Sequence, residues 1–406
     1  MRRIAVTGLG CVSGLGQGVA ASWTRAVAGQ GAIADVALPR EGAARAHGPA
    51  APVAALDLGA AEARFGQRAL RQLDPLAAFA IVAAEEALSD AGLIGDPVLD
   101  RRTAILIGSG SGGNATIDTA FARLYGQGQP KVHPQTIPAS MISAPASQLG
   151  MVFGIHGPAM TIASACASSA HALGEAMHMI RAGRVDVAVA GGSEACLTLG
   201  SWVAWSSLGA LAGDTCRPFS IERQGLVLGE GAAILVLEEW DRAVARGAVI
   251  NGELAGYGAA GDAAHLTAPD GDGIALAIRA AHDDAGLDPS APVLISSHGT
   301  GTKLNDATEA AALHAVYGTG LRASRVIATK SAHGHLIGGS GALEFLLGLK
   351  ALADGVAPPI LNMIRPDPAC DLPLALTPTP IAYDHLVSNS FAFGGLNAVL
   401  IGRRAA

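Results

Sequence analysis

The chain has 406 residues, of which 50% are hydrophobic and 15% charged, with a net charge of −7. That length predicts two domains or two fused halves, and the apolar content excludes a disordered chain or a long solvated coiled coil. The acidic balance and an aromatic content of only 4% exclude nucleic acid as the main partner, because that role needs a basic, base-stacking surface.

The opening Met1-Arg2-Arg3-Ile4-Ala5-Val6 imitates a signal peptide. Thr7-Gly8-Leu9-Gly10 is too glycine-rich for the apolar core of one and reads as a strand at 4–7 entering a turn. Further strands are predicted at 103–107, 160–163, 185–190, 234–238, 293–297, 326–329 and 386–388. They alternate with helical patterns at 76–91, 167–182, 306–317 and 341–353, the arrangement of βαβ units. Two stretches, 132–174 and 195–213, contain no Asp, Glu, Lys or Arg. Four prolines interrupt the first, and Gly200, Ser201, Ser206 and Ser207 the second, so neither is read as a membrane span. Both read as buried core or subunit interface.

The turn-rich segment 248–258 is the expected boundary, dividing the chain into 1–250 and 251–406. The halves echo one another. Strand 160–163, a loop with Cys166, a helix and strand 185–190 ending in Gly191-Gly192 form one unit. Strand 326–329, a loop with Lys330 and His335, a helix and strand 386–388 ending near Gly394-Gly395 form the other.

Five cysteines, at 11, 166, 196, 216 and 370, are too few and scattered for a disulfide framework or a zinc pair and fit a reducing compartment. Cys166 in Ser164-Ala165-Cys166-Ala167-Ser168-Ser169 falls between a strand and a helix, where free N–H groups and the helix dipole are expected to acidify a thiol. Alone it reads more readily as a buried structural cysteine. His298, in His298-Gly299-Thr300-Gly301-Thr302, follows a strand whose carboxyl end would face a ligand crevice, or it is a satisfied structural histidine. Lys330 and His335 sit in a similar strand-to-helix loop, with no convergent third ligand that would make His333 and His335 a metal site. Asn389-Ser390-Phe391-Ala392-Phe393-Gly394-Gly395 is either a tight turn with two core rings or a glycine-hinged aromatic gate. Gly108-Ser109-Gly110-Ser111-Gly112-Gly113 has the pattern of a dinucleotide loop, but no acidic strand end follows about 20 residues later. An NAD-dependent dehydrogenase is thus a remote alternative, and no G-x-S-x-G hydrolase elbow occurs.

Taken together these motifs resemble the elongating β-ketoacyl-[acyl carrier protein] synthases of the thiolase-like superfamily, over nearly the whole chain. Ser-Ala-Cys-Ala-Ser-Ser, His-Gly-Thr-Gly-Thr, Thr-Lys-Ser and Gly-His-Leu occur in family order. The resemblance implies an α/β fold of two duplicated βαβ-rich halves in five layers, α-β-α-β-α. It implies an acyltransferase that joins a Cys166-bound acyl chain to a decarboxylating malonyl group. His298 and His335 would donate N–H groups to the malonyl thioester, and Lys330 with Glu344 would order the site. The N–H groups of Cys166 and Phe393 would form the oxyanion hole, Phe393 also serving as the gate. Thr300 and Thr302 would bind the pantetheine arm, and Ser111 would leave an open acyl pocket. Arg68, Arg71 and Lys131 would dock an acidic acyl carrier protein.

No cofactor and no metal is implied; the 4′-phosphopantetheine arrives on the carrier. The family forms cytoplasmic homodimers, and a type II polyketide or aryl polyene system would instead pair this chain with a cysteine-free chain-length partner. The resemblance implies fatty-acid or fatty-acid-like biosynthesis first, and departures from the family pattern make such a specialised pathway the alternative. Ala392 and Leu396 replace Gly and Thr, and Ala392 is expected to stiffen the gate. His333 replaces a threonine, and Ser220 and Gln224 replace acidic residues.

Overall fold

The computed structural model describes residues 2–38, 46–59, 62–63, 66 and 73–405. Ten strands matter here: β1 (Ile4–Ser13), β2 (Thr103–Gly108), β3 (Ala159–Ile162), β4 (Val187–Glu194), β5 (Gly231–Glu239), β6 (Gly252–Gly261), β7 (Leu294–Ser296), β8 (Arg325–Ile327), β9 (His385–Ala392) and β10 (Leu396–Arg403). They run in the order β8-β7-β9-β10-β6-β1-β5-β4-β2-β3. The first five follow β3-β2-β4-β5-β1 and the last five β8-β7-β9-β10-β6, which is one topology used twice. Senses match too: β2 is parallel to β3 and β4, and β7 to β8 and β9. The other pairs are antiparallel. β1 and β6 join the two sets antiparallel at Ala5–Glu253 and Val6–Gly252.

Six helices complete the layers: α1 (Pro75–Asp90), α2 (Ser168–Arg181), α3 (Leu199–Ser207), α4 (Gly271–Ala285), α5 (Lys303–Tyr317) and α6 (Ser340–Asp354). Asp74 caps α1 by accepting from the Leu76 N–H at 2.9 Å, with Pro75 in the first turn. α1 covers the first set of strands, and α4 covers the second with α5 packed on it. α2 and α6 lie against each other and touch strands of both sets, forming the middle of five layers. α6 is buried on nearly all sides, as a helix apolar all round must be.

The sequence reading ends the first strand at residue 7, whereas β1 continues to Ser13. Gly8 and Gly10 are strand residues pressed against α1: a Cβ on either would lie 2.0 Å from the carbonyl oxygen of Ala87 or Ala83. Of the segment 248–258, read as rich in turns, only 248–251 is loop, and residues from 252 onward form β6. A Cβ on Gly256 or Gly258 would likewise lie 2.7 Å from the α4 carbonyl oxygen of Ala281 or 2.3 Å from that of Ala277. Glycine here marks close strand-to-helix packing, not a turn. The pair Gly8-x-Gly10 and Gly256-x-Gly258 is itself a trace of the duplication. α5 starts at Lys303, three residues before the predicted start, so Glu309 lies in its second turn. The uncharged stretch 132–174 is not all deep core: it includes the sheet-edge strand β3, with Met151 67% and Met160 41% exposed.

Candidate active site

After β3 a single 3₁₀ turn, Ala165–Ala167, carries Cys166 into the start of α2. Ala165 holds φ at 47°, a left-handed conformation that is costly for a residue with a Cβ. Ser168 braces the turn: its Oγ accepts from the Ser164 N–H at 2.9 Å and donates to the Ala165 carbonyl at 2.7 Å. The expected acidification of the thiol is corrected by the structure. Burial pushes Cys166 up to about 11, over the opposing pull of Lys330 and of the Phe393 and Cys166 N–H groups. A helix dipole contributes only about 0.3–1 kcal/mol, less than the cost of desolvating a buried thiolate. Both of those N–H groups reach the sulfur itself.

The second half supplies the remaining reactive groups from loops after β7 and β8. His335 Nε2 lies 3.1 Å from Cys166 Sγ, and the His298 and His335 rings meet edge to face with centroids 5.5 Å apart. Lys330 Nζ donates to Glu344 Oε1 at 2.6 Å and to the His298 carbonyl at 2.7 Å, and lies 3.3 Å from His298 Nδ1. Burial first, then the Lys330 charge, holds both imidazoles well below the ordinary histidine range, so both are neutral. An ammonium can only donate, so Nδ1 of His298 is an acceptor and its proton sits on Nε2. Burial pushes the Glu344 carboxyl up to about 7, against the pull of Lys330.

Several supporting residues were not singled out in the sequence. Glu309 accepts from the His298 and Gly299 N–H groups, both at 2.8 Å, and from Asn389 Nδ2 at 3.1 Å. Asp306 accepts from the N–H groups of Phe219 at 2.8 Å and Gly301 at 3.2 Å, which shapes the Thr300–Thr302 turn. A carboxylate on one face of a helix directly after a histidine-bearing loop is the signal that would have found both. His333 stays out of the site. It is buried with Nε2 2.9 Å from Thr329 Oγ1, and burial pushes its pKa down to about 3.

A cavity of about 330 Å³ opens onto Cys166, His298 and His335. Thr300, Thr302 and Phe393 are in its wall, and the two threonine hydroxyls are 2.9 Å apart. Trp205 on α3 stacks on Phe393 with centroids 5.9 Å apart. Ala392 pairs with Leu396 at the end of the β9–β10 hairpin, which leaves Phe393, Gly394 and Gly395 as the turn. The Gly394 N–H donates to the Leu266 carbonyl at 2.7 Å.

Ser111 is not in this wall. Its hydroxyl donates to Glu194 Oε1 at 2.5 Å, and the same buried carboxylate accepts from the N–H groups of Gly110 (2.7 Å), Ser111 (3.2 Å) and Gly338 (2.9 Å). A dinucleotide would need those N–H groups for its pyrophosphate; Glu194 has taken them, which removes the loop as an NAD site. Lys131 lies exposed on a loop, and Arg68 and Arg71 fall outside the described residues. The ligand atoms of Cys166, His298 and His335 lie within 4.8 Å of one another, the one such cluster among the described residues. With the Lys330 ammonium against His298, the set is better suited to receive negative charge than a cation.

The family profile "Beta-ketoacyl synthase, N-terminal domain" matches residues 1–243, and "Beta-ketoacyl synthase, C-terminal domain" matches residues 251–364. The chain is 38% identical over 407 residues to "Nodulation protein E" of Rhizobium sp. (strain N33), covering 99% of each. It is 34% identical over 412 residues to "3-oxoacyl-[acyl-carrier-protein] synthase 2" of Staphylococcus aureus (strain N315), covering 99% of this chain and 98% of that one. Among solved structures, "The ishigamide ketosynthase/chain length factor" aligns at TM-score 0.93 and 34% identity over 100% of both chains. A second, a type II PKS acyl-carrier protein in complex with its ketosynthase, aligns at 0.89 and 30% over 100% of both. This chain belongs to the β-ketoacyl synthase family. It has the thiolase-like fold of the elongating ketosynthases and is an acyltransferase that elongates carrier-bound acyl chains.

Proposed function

We propose that Cys166 is the acyl acceptor, His298 and His335 the donors that drive decarboxylation, and Phe393 with Cys166 the oxyanion hole. The observation that carries this reading is the 3.1 Å approach of His335 Nε2 to Cys166 Sγ, with a neutral His298 beside them. In the first half-reaction the Cys166 sulfur attacks a carrier-bound thioester. An S–C bond forms to the cysteine, the bond to the pantetheine sulfur breaks, and the thiol proton leaves on that sulfur. In the second, malonyl thioester loses CO₂ and its electron pair moves onto the thioester oxygen, where Nε2–H of His298 and of His335 receive it. The enolate carbon attacks the acyl-Cys166 carbonyl, whose oxygen takes charge from the Phe393 and Cys166 N–H groups. Each such donor contributes about 2.7–4 kcal/mol. The Cys166–acyl bond breaks, the sulfur takes up a proton from solvent, and a β-ketoacyl chain two carbons longer leaves on the carrier.

In this reading Lys330 and Glu344 order His298, Thr300 and Thr302 hold the pantetheine arm, and no metal or resident cofactor takes part. Lys131, with Arg68 and Arg71, docks the carrier, whose acidic surface needs local basic groups. Ser111, held by Glu194, leaves the acyl side of Cys166 free of a bulky side chain. The partner, a second copy or a chain-length-factor-like chain, sits on the uncharged edge around β3, where Met151 and Met160 are exposed. The five free thiols suit a reducing compartment, and we place the reaction in the cytoplasm. Fatty-acid or fatty-acid-like synthesis is the first reading of the pathway, and Ala392 and Leu396 at the gate support a specialised pathway as the second.

Intact-protein mass spectrometry tests the reading, with carrier proteins bearing acyl chains of varied length and saturation, followed by malonyl-carrier. The expected result is an acyl adduct on Cys166, absent in Cys166→Ala, that disappears as β-ketoacyl product forms. No adduct across the panel, with or without a chain-length partner, would overturn it.

A further inference from the structure

Ser340, the first residue of α6, places its Oγ 2.8 Å from Nδ1 of His335. Both residues are buried. A hydroxyl can donate or accept, so the distance alone does not say which tautomer His335 holds. Counting hydrogens does. No other protein group among the described residues accepts from the Ser340 hydroxyl. With the proton on Nδ1, His335 would donate to Oγ, and the hydroxyl hydrogen would be buried without an acceptor. Its bare Nε2 would then meet only the weak S–H donor of Cys166. With the proton on Nε2, Ser340 donates to Nδ1 and Nε2–H points to Cys166 Sγ, so the hydroxyl hydrogen and the ring hydrogen both have partners and only the weak S–H donor is left over.

We propose that Ser340 is a positioning residue that fixes His335 as the Nε2–H tautomer, doing with a neutral hydroxyl what Lys330 does for His298 with a charge. This rests on the reading of His335 as a donor to the malonyl thioester. Two different groups thus impose one protonation pattern on the two histidines. A second ammonium there would add another charge to the buried pocket; a hydroxyl adds none.

The test separates the half-reactions and reads the tautomer directly. In Ser340→Ala, acylation of Cys166 stays within about twofold of the wild type, while condensation from the preformed acyl-enzyme slows about 5- to 10-fold, as loss of one neutral hydrogen bond predicts. Ser340→Thr restores most of the rate. In ¹⁵N-histidine NMR of the whole protein, with His335 assigned by its loss in His335→Gln, the wild type shows Nε2–H and Ser340→Ala gains Nδ1–H. A wild-type Nδ1–H signal, or equal slowing of both half-reactions in Ser340→Ala, would overturn the proposal. The NMR readout needs no substrate, so it decides on Ser340 even if acylation of Cys166 itself failed. Should Ser340→Ala not fold, the wild-type tautomer and the Thr variant decide.

Discussion

The two halves share one topology but hold their reactive groups by different means. In the first half, main-chain geometry places the Cys166 thiol: a one-turn 3₁₀ element, a left-handed Ala165 and the Ser168 brace. In the second, buried side-chain charges do the placing, through Glu344–Lys330–His298 and Glu309 beneath the His298 loop. The difference follows from what each group needs. A thiol must sit at one point and be reachable, and backbone fixes points well. An imidazole must also keep a given protonation state, which only a donor or a charge at its other nitrogen can set.

Substitutions can sharpen that contrast. The largest effect is expected for Cys166→Ala, which should lower turnover on the order of 10⁵–10⁶-fold, the scale for losing an attacking atom. Its thermal midpoint should stay near that of the wild type, since the turn does not depend on the sulfur. Next is the pH dependence of Cys166 alkylation by iodoacetamide in the substrate-free protein. The buried thiol is held up near 11, and only the thiolate reacts. The rate should therefore climb about tenfold per pH unit from 7 to 10 with no plateau near neutrality. A plateau below pH 8 would mean that helix and backbone acidify the thiol more than burial opposes them.

Glu344→Leu should be the most damaging change to stability. It leaves the Lys330 charge buried without its partner and should cost about 3–5 kcal/mol in urea unfolding, with the decarboxylation step failing in whatever remains folded. On the other side of the site, Ser168→Ala should cost less, about 1–2 kcal/mol, while slowing acyl transfer more than decarboxylation. If the two stability losses were equal, the distinction between backbone and charge control would collapse.

Much of this was legible in the sequence. Cys166, His298, Lys330 and His335 stand at strand-to-helix junctions, but each alone also had a structural reading, and it was the order of their motifs, through the family resemblance, that implied one site. The duplication was visible around Cys166 and His335 but missed where it is sharpest. Gly8-x-Gly10 and Gly256-x-Gly258 look like turns until the helix carbonyls behind them are seen. Glu194 was unreadable because it accepts from backbone N–H groups of loops 83 to 144 residues away, which leave no trace in residue type. The thiol was misjudged because a sequence displays the helix start but not the depth of burial, and here depth dominates. Ser340 hides as an ordinary helix-opening serine.

The union of β1 with β6 bears on how the protein is made. β1 is buried at all ten residues, lies between β5 and β6, and β6 in turn needs β10, residues 396–403. At a synthesis rate of about 5–20 residues per second, the opening strand waits roughly 10–50 s for its neighbours to leave the ribosome. The strand on its far side then waits for nearly the end of the chain. A nascent chain paused near residue 250 would carry a bare apolar edge, the surface that chaperones hold and that aggregates when they do not. Fragments cut between the halves should therefore be recovered as insoluble protein, and co-expressing the two pieces should return them to solution together.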